Sequence, residues 1–429
     1  MLNFLNNNNK LFNLKNQSSP NKKIILTLFI LFLFRFGNTI PLAGIDQEAL
    51  KRSFLELENK NSIMQIINMY SGSGGTNALV TPFSLGIIPF INASILVDLL
   101  TAIIPSLEKL QQEEGEIGRR KILFYKKILT LLFAIAQSVF LIFYLKSYFY
   151  DLGIFNTIIT SLQLVSGAML VVWLSNIIDS KGIGNGTSII IFTNIIVTLI
   201  GKNVLNYQID AAFIQQILFL LFLIILICIS QTARINIDVV SARQLAFLEN
   251  IEKNDVNDKL TNNFQVKDNG LAIKLNQAGI FPIIIAANIY PFLTFIGQSI
   301  FGNSKFLAVS NIFYYLLIIG FNYFYTIIFW DPEKISEQLR KASVSVVNIT
   351  PGNETISYLE NVVKSTSIIG GIFLCSILIS YEYFKQIMGG SLLNQINISS
   401  LIILVGVAYE VQKTIRALYK NTVDLQTNY

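Results

Sequence analysis

The chain is organised around uninterrupted apolar blocks of about 20 residues, long enough as helices to cross a hydrocarbon core of about 30 Å. Ten such blocks can be drawn, near 24–41, 79–105, 122–145, 155–178, 187–203, 211–230, 275–300, 307–330, 365–388 and 398–415. Runs such as ILTLFILFLF and QQILFLLFLIILI are continuous. Transmembrane strands would instead alternate over about ten residues, so a strand barrel is excluded. With 52% hydrophobic and 14% charged residues, the chain belongs with membrane proteins, and a soluble enzyme is ruled out.

Charge supplies the orientation. The formal net charge is +6, but Lys and Arg do not gather on one basic domain, so direct nucleic-acid binding is not expected. They sort by side of the membrane. Lys22, Lys23, Arg119, Arg120, Lys121, Lys126, Lys127 and most basic residues of 231–274, 331–364 and 413–420 fall on one side, few on the other. By the positive-inside rule both termini face the compartment of synthesis, in keeping with an even number of spans. The leader 1–22, rich in Asn and Lys, reads as a retained inside tail.

An internal match divides the chain. Gly86-Ile87-Ile88-Pro89-Phe90-Ile91-Asn92-Ala93 in the second block and Gly279-Ile280-Phe281-Pro282-Ile283-Ile284-Ile285-Ala286 in the seventh both read G-I-x-P-x-I-x-A. If blocks one to five and six to ten are repeats, an odd number of spans per repeat makes the halves run in opposite directions. Pro and Gly at matching places in two halves point to a functional site at the repeat interface; chance similarity is the competing explanation, since Pro is common in membrane helices. The expected halves are 23–205 and 206–415, followed by an inside tail at 416–429.

The chemistry is sparse. There is no histidine, which removes Ser-His hydrolysis, His-containing zinc proteases and His proton relays. Cys228 and Cys375 fall inside apolar blocks and read as small buried hydrophobes rather than a disulfide or metal pair. Arg35, Asp98 and Glu410 can each be placed toward a helix end, where snorkelling or partial solvation suffices. GIGNG at 182–186 lacks the strand context of a dinucleotide loop and reads as a tight inside turn. No catalytic residue, cofactor or metal site is expected. The two long inside loops, 231–274 and 331–364, are where soluble partners would meet the chain.

The segments RFGNTIPLAGID, LGIIPFINASI, EEGEIGRRK, DSKGIGNGTSIIIF, NQAGIFPIIIA and NITPGNETISYLE together resemble the SecY family of translocon channels, nearly end to end. The resemblance implies an all-α membrane protein with ten transmembrane helices in two inverted five-helix halves forming a pore. It would be closed outside by a plug near 62–78, pinched by an apolar ring, and able to open sideways. Carried over by motif, the ring would be Ile87, Ile91, Ile191, Ile284 and Ile403, although any one of these could equally be a core isoleucine. Asn92, Gln137 and Asn288 are candidate polar contacts of the sideways gate, and Arg234, Arg243, Arg340 and Lys341 candidate docking residues.

The expected activity is conduction of unfolded polypeptides across the membrane and release of hydrophobic segments into lipid. The implied partners are a SecE-like and a SecG-like subunit, a SecA-type ATPase or a ribosome, secretory polypeptides and membrane lipid. Two departures from the family pattern bear on docking: Ile235 and Asn236 stand where a glycine and basic run are usual, and Thr350 stands where Arg usually precedes Pro-Gly. The heavy use of Asn, Ile, Lys and Phe suits an AT-rich genome such as an algal plastid's, favouring a thylakoid membrane over a bacterial plasma membrane. The competing functional class is a secondary transporter of a small solute, which would need intramembrane ion-binding groups; an intramembrane enzyme would need a convergent nucleophile and base.

Overall fold

Lipid offers no partner for a backbone amide or carbonyl, so a chain of long Ile, Leu and Phe runs must satisfy its hydrogen bonds within each segment, and does so as helices. The computed structural model describes residues 20–50, 52, 80–112, 115–151, 153–201, 211–241, 270–287, 289–290, 303–347, 349–388, 393 and 398–427. Among these, seven helices are long and apolar enough to cross a membrane. The chain falls into two compact units, residues 1–209 with 407–429, and residues 210–406.

The first unit contains α1 (Pro20–Gly37), α2 (Ile88–Ile103), α3 (Pro105–Gln112), α4 (Gly115–Tyr144), α5 (Ile154–Lys181) and α6 (Gly186–Gly201). Helix α2 packs on α4, α4 on α5, and α1 on α5. The second expected span is broken. A short 3₁₀ turn, Pro82–Leu85, comes first, the chain bends at Gly86, and the regular helix begins at Ile88. Proline explains the break, because Pro82 and Pro89 each lack the amide an uninterrupted helix would need, and both sit in a first turn where that amide is dispensable.

The second unit contains α7 (Ala211–Thr232), a helix starting at 281, α8 (Asn303–Phe329), α9 (Pro332–Lys341) and α10 (Asn353–Met388). Helix α10 packs against α7, α8 and α9. The last helix, α11 (Ile398–Thr427), counts with this unit through Gly406 and with the first unit from Val407 onward.

The described parts of the two loops expected on the inside pair with one another. They form an antiparallel sheet in the order β2-β1-β3, from β1 (Arg234–Ser241), β2 (Gly270–Lys274) and β3 (Val344–Val346). β1 carries the period-two pattern of a strand, Ile235, Ile237 and Val239 with Asn236 and Asp238 between them. Ile237 of β1 and Ile273 of β2 are buried with Val346, Leu359 and Val363, and Trp330, Ile335 and Leu339 pack on them. The sheet therefore has its own core, closed by α9 and the inner end of α10. That end begins at Asn353, a full three turns before the apolar block expected from 365.

Candidate pore-lining and docking sites

The two G-I-x-P segments adopt the same backbone. Gly86 has φ 53° and Gly279 φ 63°, left-handed values that a residue with a Cβ adopts only at a cost. In each case the next isoleucine carbonyl starts the helix. The Ile87 carbonyl accepts from the amides of Phe90 and Ile91, both at 3.1 Å, and the Ile280 carbonyl accepts from those of Ile283 and Ile284 at 3.1 and 3.2 Å. The repeat seen as letters is thus a repeat of conformation: glycine bend, isoleucine cap, proline in the first turn.

Each bend is also knitted locally. In the first unit Ser84 Oγ accepts from the Thr81 amide at 2.7 Å, and the Gly86 amide donates to the Phe83 carbonyl at 2.8 Å. In the second, the Asn276 side-chain amide donates to the Gly279 carbonyl at 3.0 Å, and the Leu275 amide donates to the Ala233 carbonyl at 2.9 Å. A buried side chain that satisfies a bend's own backbone groups fixes where the following helix starts.

All five candidate ring isoleucines are buried, with relative exposures of 0% for Ile87, 4% for Ile91, 3% for Ile191, 5% for Ile284 and 0% for Ile403. Ile87, Ile91 and Ile191 lie in the first unit, Ile284 and Ile403 in the second. Ile87 caps α2 and Ile91 sits one turn on, so the two share a helix face. Ile191 shares its stretch of α6 with the equally buried Ile190 and Ile195, and Ile403 neighbours the buried Ile402 on α11. Burial alone therefore does not single these residues out.

Of the gate candidates, Asn92 on α2 and Gln137 on α4 are half-buried, and Asn288 lies outside the described residues, as does the expected plug at 62–78. What precedes and follows that stretch is well fixed. Gln47 donates to the Val80 carbonyl at 3.1 Å and accepts from the Val80 amide at 3.0 Å, while the Leu42 amide also donates to the Val80 carbonyl at 2.8 Å. One glutamine thus ties together the chain segments on either side of residues 53–79. Nothing in sequence spacing could have marked it, because its partner is a backbone 33 residues away.

A second residue pair missed in the sequence lies between α2 and α4. Lys126 Nζ stands 2.9 Å from Asp98 Oδ1, with the two side chains 15% and 33% exposed, and Ser94 Oγ donates to Asp98 Oδ2 at 3.3 Å. Asp98 is held by a helix neighbour as well as being partly open to solvent. The GIGNG turn is likewise stitched: Asp179 Oδ1 accepts from the Gly186 amide at 2.6 Å, Asn185 Oδ1 from the amides of Thr187 and Ser188, and Thr27 Oγ1 from the Ile183 amide. These are helix caps and a tie to α1.

Three of the four docking candidates, Arg234, Arg340 and Lys341, sit on the small sheet and its helix. Arg234 on β1 is directly opposite Lys274 on β2, and Arg340 and Lys341 are exposed in the last turn of α9. Asp331 caps the other end of α9, its carboxylate accepting from the amides of Glu333 and Lys334. Lys341 reaches Glu337 at 3.0 Å; that hydrogen bond and the adjoining positive charges hold the Glu337 carboxyl below its ordinary range. Arg243 lies outside the described residues. Thr350, the departure before Pro-Gly, donates from its hydroxyl to Glu354 at 2.7 Å and accepts at its carbonyl from Thr355 at 2.8 Å. It closes the start of α10, a local role that an arginine would not fill in the same way.

The SecY family model matches residues 81–412. A protein translocase subunit SecY of Pyropia yezoensis is 35% identical over 418 residues, 93% of this chain and 96% of the relative, and that of the cyanobacterium Synechocystis is 32% identical over 421 residues, 92% and 91% of the two chains. A solved protein-conducting channel superposes with a TM-score of 0.61 at 14% identity, covering 94% of this chain and 93% of that one. Sec61 in a canine ribosome-channel complex from the endoplasmic reticulum gives 0.57. The fold is the one these channels share, ten spans in two halves. Matched along most of its length by family, by relatives and by fold, this chain belongs to the SecY family of protein translocase subunits.

Proposed function

We propose that the chain is the central channel subunit of a Sec protein translocase, passing unfolded polypeptides across the membrane and letting hydrophobic segments leave sideways into lipid. The observation that carries this reading is the pair of glycine-isoleucine-proline bends, one in each unit, each launching a helix whose first turns hold buried isoleucines. Ile87, Ile91 and Ile191 from one half, with Ile284 and Ile403 from the other, form the waist. Branched apolar side chains hold no chain of water and so resist ions by dewetting, while offering no fixed hydrogen-bond pattern to a passing side chain. The halves are 23–205 and 206–415, with 62–78 as plug and Asn92, Gln137 and Asn288 along the sideways gate.

The subunit catalyses nothing itself. Work comes from a SecA-type ATPase or a ribosome, received at Arg243 and at the sheet and helix that carry Arg234, Arg340 and Lys341. A channel of the same fold sits in a ribosome complex in the canine case, which supports that use of this face. A SecE-like helix clamps the halves and a SecG-like subunit accompanies them. Similarity to red-algal and cyanobacterial relatives supports a thylakoid membrane, with both termini on the stromal side. The test is reconstitution of the complex in proteoliposomes with a SecA-type ATPase, ATP and an unfolded secretory precursor. Protease-protected precursor is expected; protection equal to that of vesicles lacking the channel would refute the reading.

A further inference from the structure

The conformational repeat extends beyond the bends to what holds them. Pro82 precedes Gly86 by four residues, and Leu275 precedes Gly279 by four. The carbonyl of each is pressed against a glycine of a long helix. Pro82 faces Gly167 of α5, the fourth span, and Leu275 faces Gly370 of α10, the ninth. In a five-plus-five repeat the fourth and ninth spans correspond, so the same contact recurs at the same place in both units.

The contact requires glycine for space. A methyl group at Gly370 would stand 2.5 Å from the Leu275 oxygen, and one at Gly167 closer still to the Pro82 oxygen, a separation that real Cβ atoms do not show. The obstacle is backbone in both places, so no side-chain rotation relieves it. Pro82 is held from a second side: a methyl at Gly37 would run into the Phe83 ring, which stacks on Phe34 with centroids 6.0 Å apart and planes 7° apart. The lead-in to α2 is therefore wedged between α1 and α5. Between seat and ring residue lie few degrees of freedom, because the carbonyl, the glycine bend and the capping isoleucine follow one another within six residues and are cross-bonded as described above.

From this we infer that Gly167 and Gly370 are matching positioning residues that set the height of the two pore helices, and with it the registry of the isoleucine waist in each half. The inference rests on the channel reading. A bulkier residue at either seat pushes the lead-in segment away and shifts Ile87 and Ile91, or Ile284, along the helix axis, so the idle channel should leak without losing its fold.

The experiment uses the complete complex in proteoliposomes, comparing Gly167→Ala, Gly370→Ala and, as control, Gly320→Ala, a helical glycine with no neighbouring atom within 4 Å. Two readouts are taken: ion leak of the idle channel, and thiol labelling of Ile91→Cys or Ile284→Cys in a background with Cys228→Ser and Cys375→Ala. The leak should rise several-fold and labelling should speed up for the two seat variants and for neither readout in the control. Wild-type leak and labelling in seat variants that keep their thermal midpoint and partner subunits would overturn the proposal. If a seat variant does not accumulate, Phe83→Ala loosens the first lead-in by leaving space instead of a clash, and wild-type leak from it overturns the proposal equally. A variant with all five waist isoleucines changed to Ser serves as reference: leak from it but from no seat variant removes the seats and leaves the channel reading, and leak from neither removes both waist and seats.

Discussion

Glu337 and Lys126 show how differently two ion pairs of the same chain are placed. Glu337 lies on the exposed face of α9 and accepts a hydrogen bond from Lys341. Its carboxyl is depressed in the folded protein, so the pair's contribution is present above the ordinary carboxylate range and fades as pH falls through the depressed value. Lys341→Ala should return the Glu337 titration upward, as read by carbon-detected NMR of the labelled side chain; an unmoved titration would show that Lys341 is not the cause. Lys126, by contrast, is largely covered by its neighbours and faces Asp98 on another helix. Removing one partner of a covered pair leaves the other charge stranded, so Lys126→Ala should cost about 1–3 kcal/mol, between the values for exposed and buried pairs. Thermal unfolding in detergent measures this, and Asp98→Asn with Lys126→Met should recover most of it.

At the scale of elements, the sheet β2-β1-β3 is the feature that most changes how the two long polar loops are understood. Parts of two loops separated by two spans of the sequence share one small core, so the docking candidates Arg234 on β1 and Arg340 and Lys341 on α9 move as one body rather than as independent tethers. Leu359 is fully buried at the centre of that core. Truncation there removes most of an aliphatic side chain and leaves a cavity, a change that costs about 2–5 kcal/mol. Leu359→Ala should therefore raise amide exchange across 234–241, 270–274 and 344–346 together while the amides of α4 and α5 stay protected. Exchange confined to α10 would show that the strands do not depend on this core. The broken second span belongs to the same scale: a single apolar block in the sequence becomes a 3₁₀ turn, a bend and a helix because two prolines divide it.

The proposed isoleucine waist is a feature of the whole molecule. A ring built from two halves depends on both at once, so its members should act together and not additively. Single Ile→Ser changes should raise the idle ion leak modestly, and the combined change at Ile87, Ile91, Ile191, Ile284 and Ile403 should raise it by far more than the sum, as measured in proteoliposomes. A combined variant that seals as well as wild type would remove the ring assignment while leaving family and fold untouched. The apolar surface of the spans has a second consequence: side chains such as Phe32, Phe143 and Ile154 are over 60% exposed, as expected where lipid rather than protein is the neighbour.

The sequence alone determined the class and plan of this protein, because long apolar runs have one way to satisfy their backbone in lipid and because the G-I-x-P motif occurs once per half. The resemblance of LGIIPFI and FPIII to the family's segments made Ile87, Ile91 and Ile284 ring candidates. Tertiary structure decided what depends on residues distant in the chain: that Gln47 fastens Val80, that Asp98 meets Lys126, and that segments of two long polar loops join in one sheet. It also decided why Gly167 and Gly370 are glycines. Neither position is special in its own helix, and only the carbonyl arriving from another part of the chain takes the space where a side chain would stand.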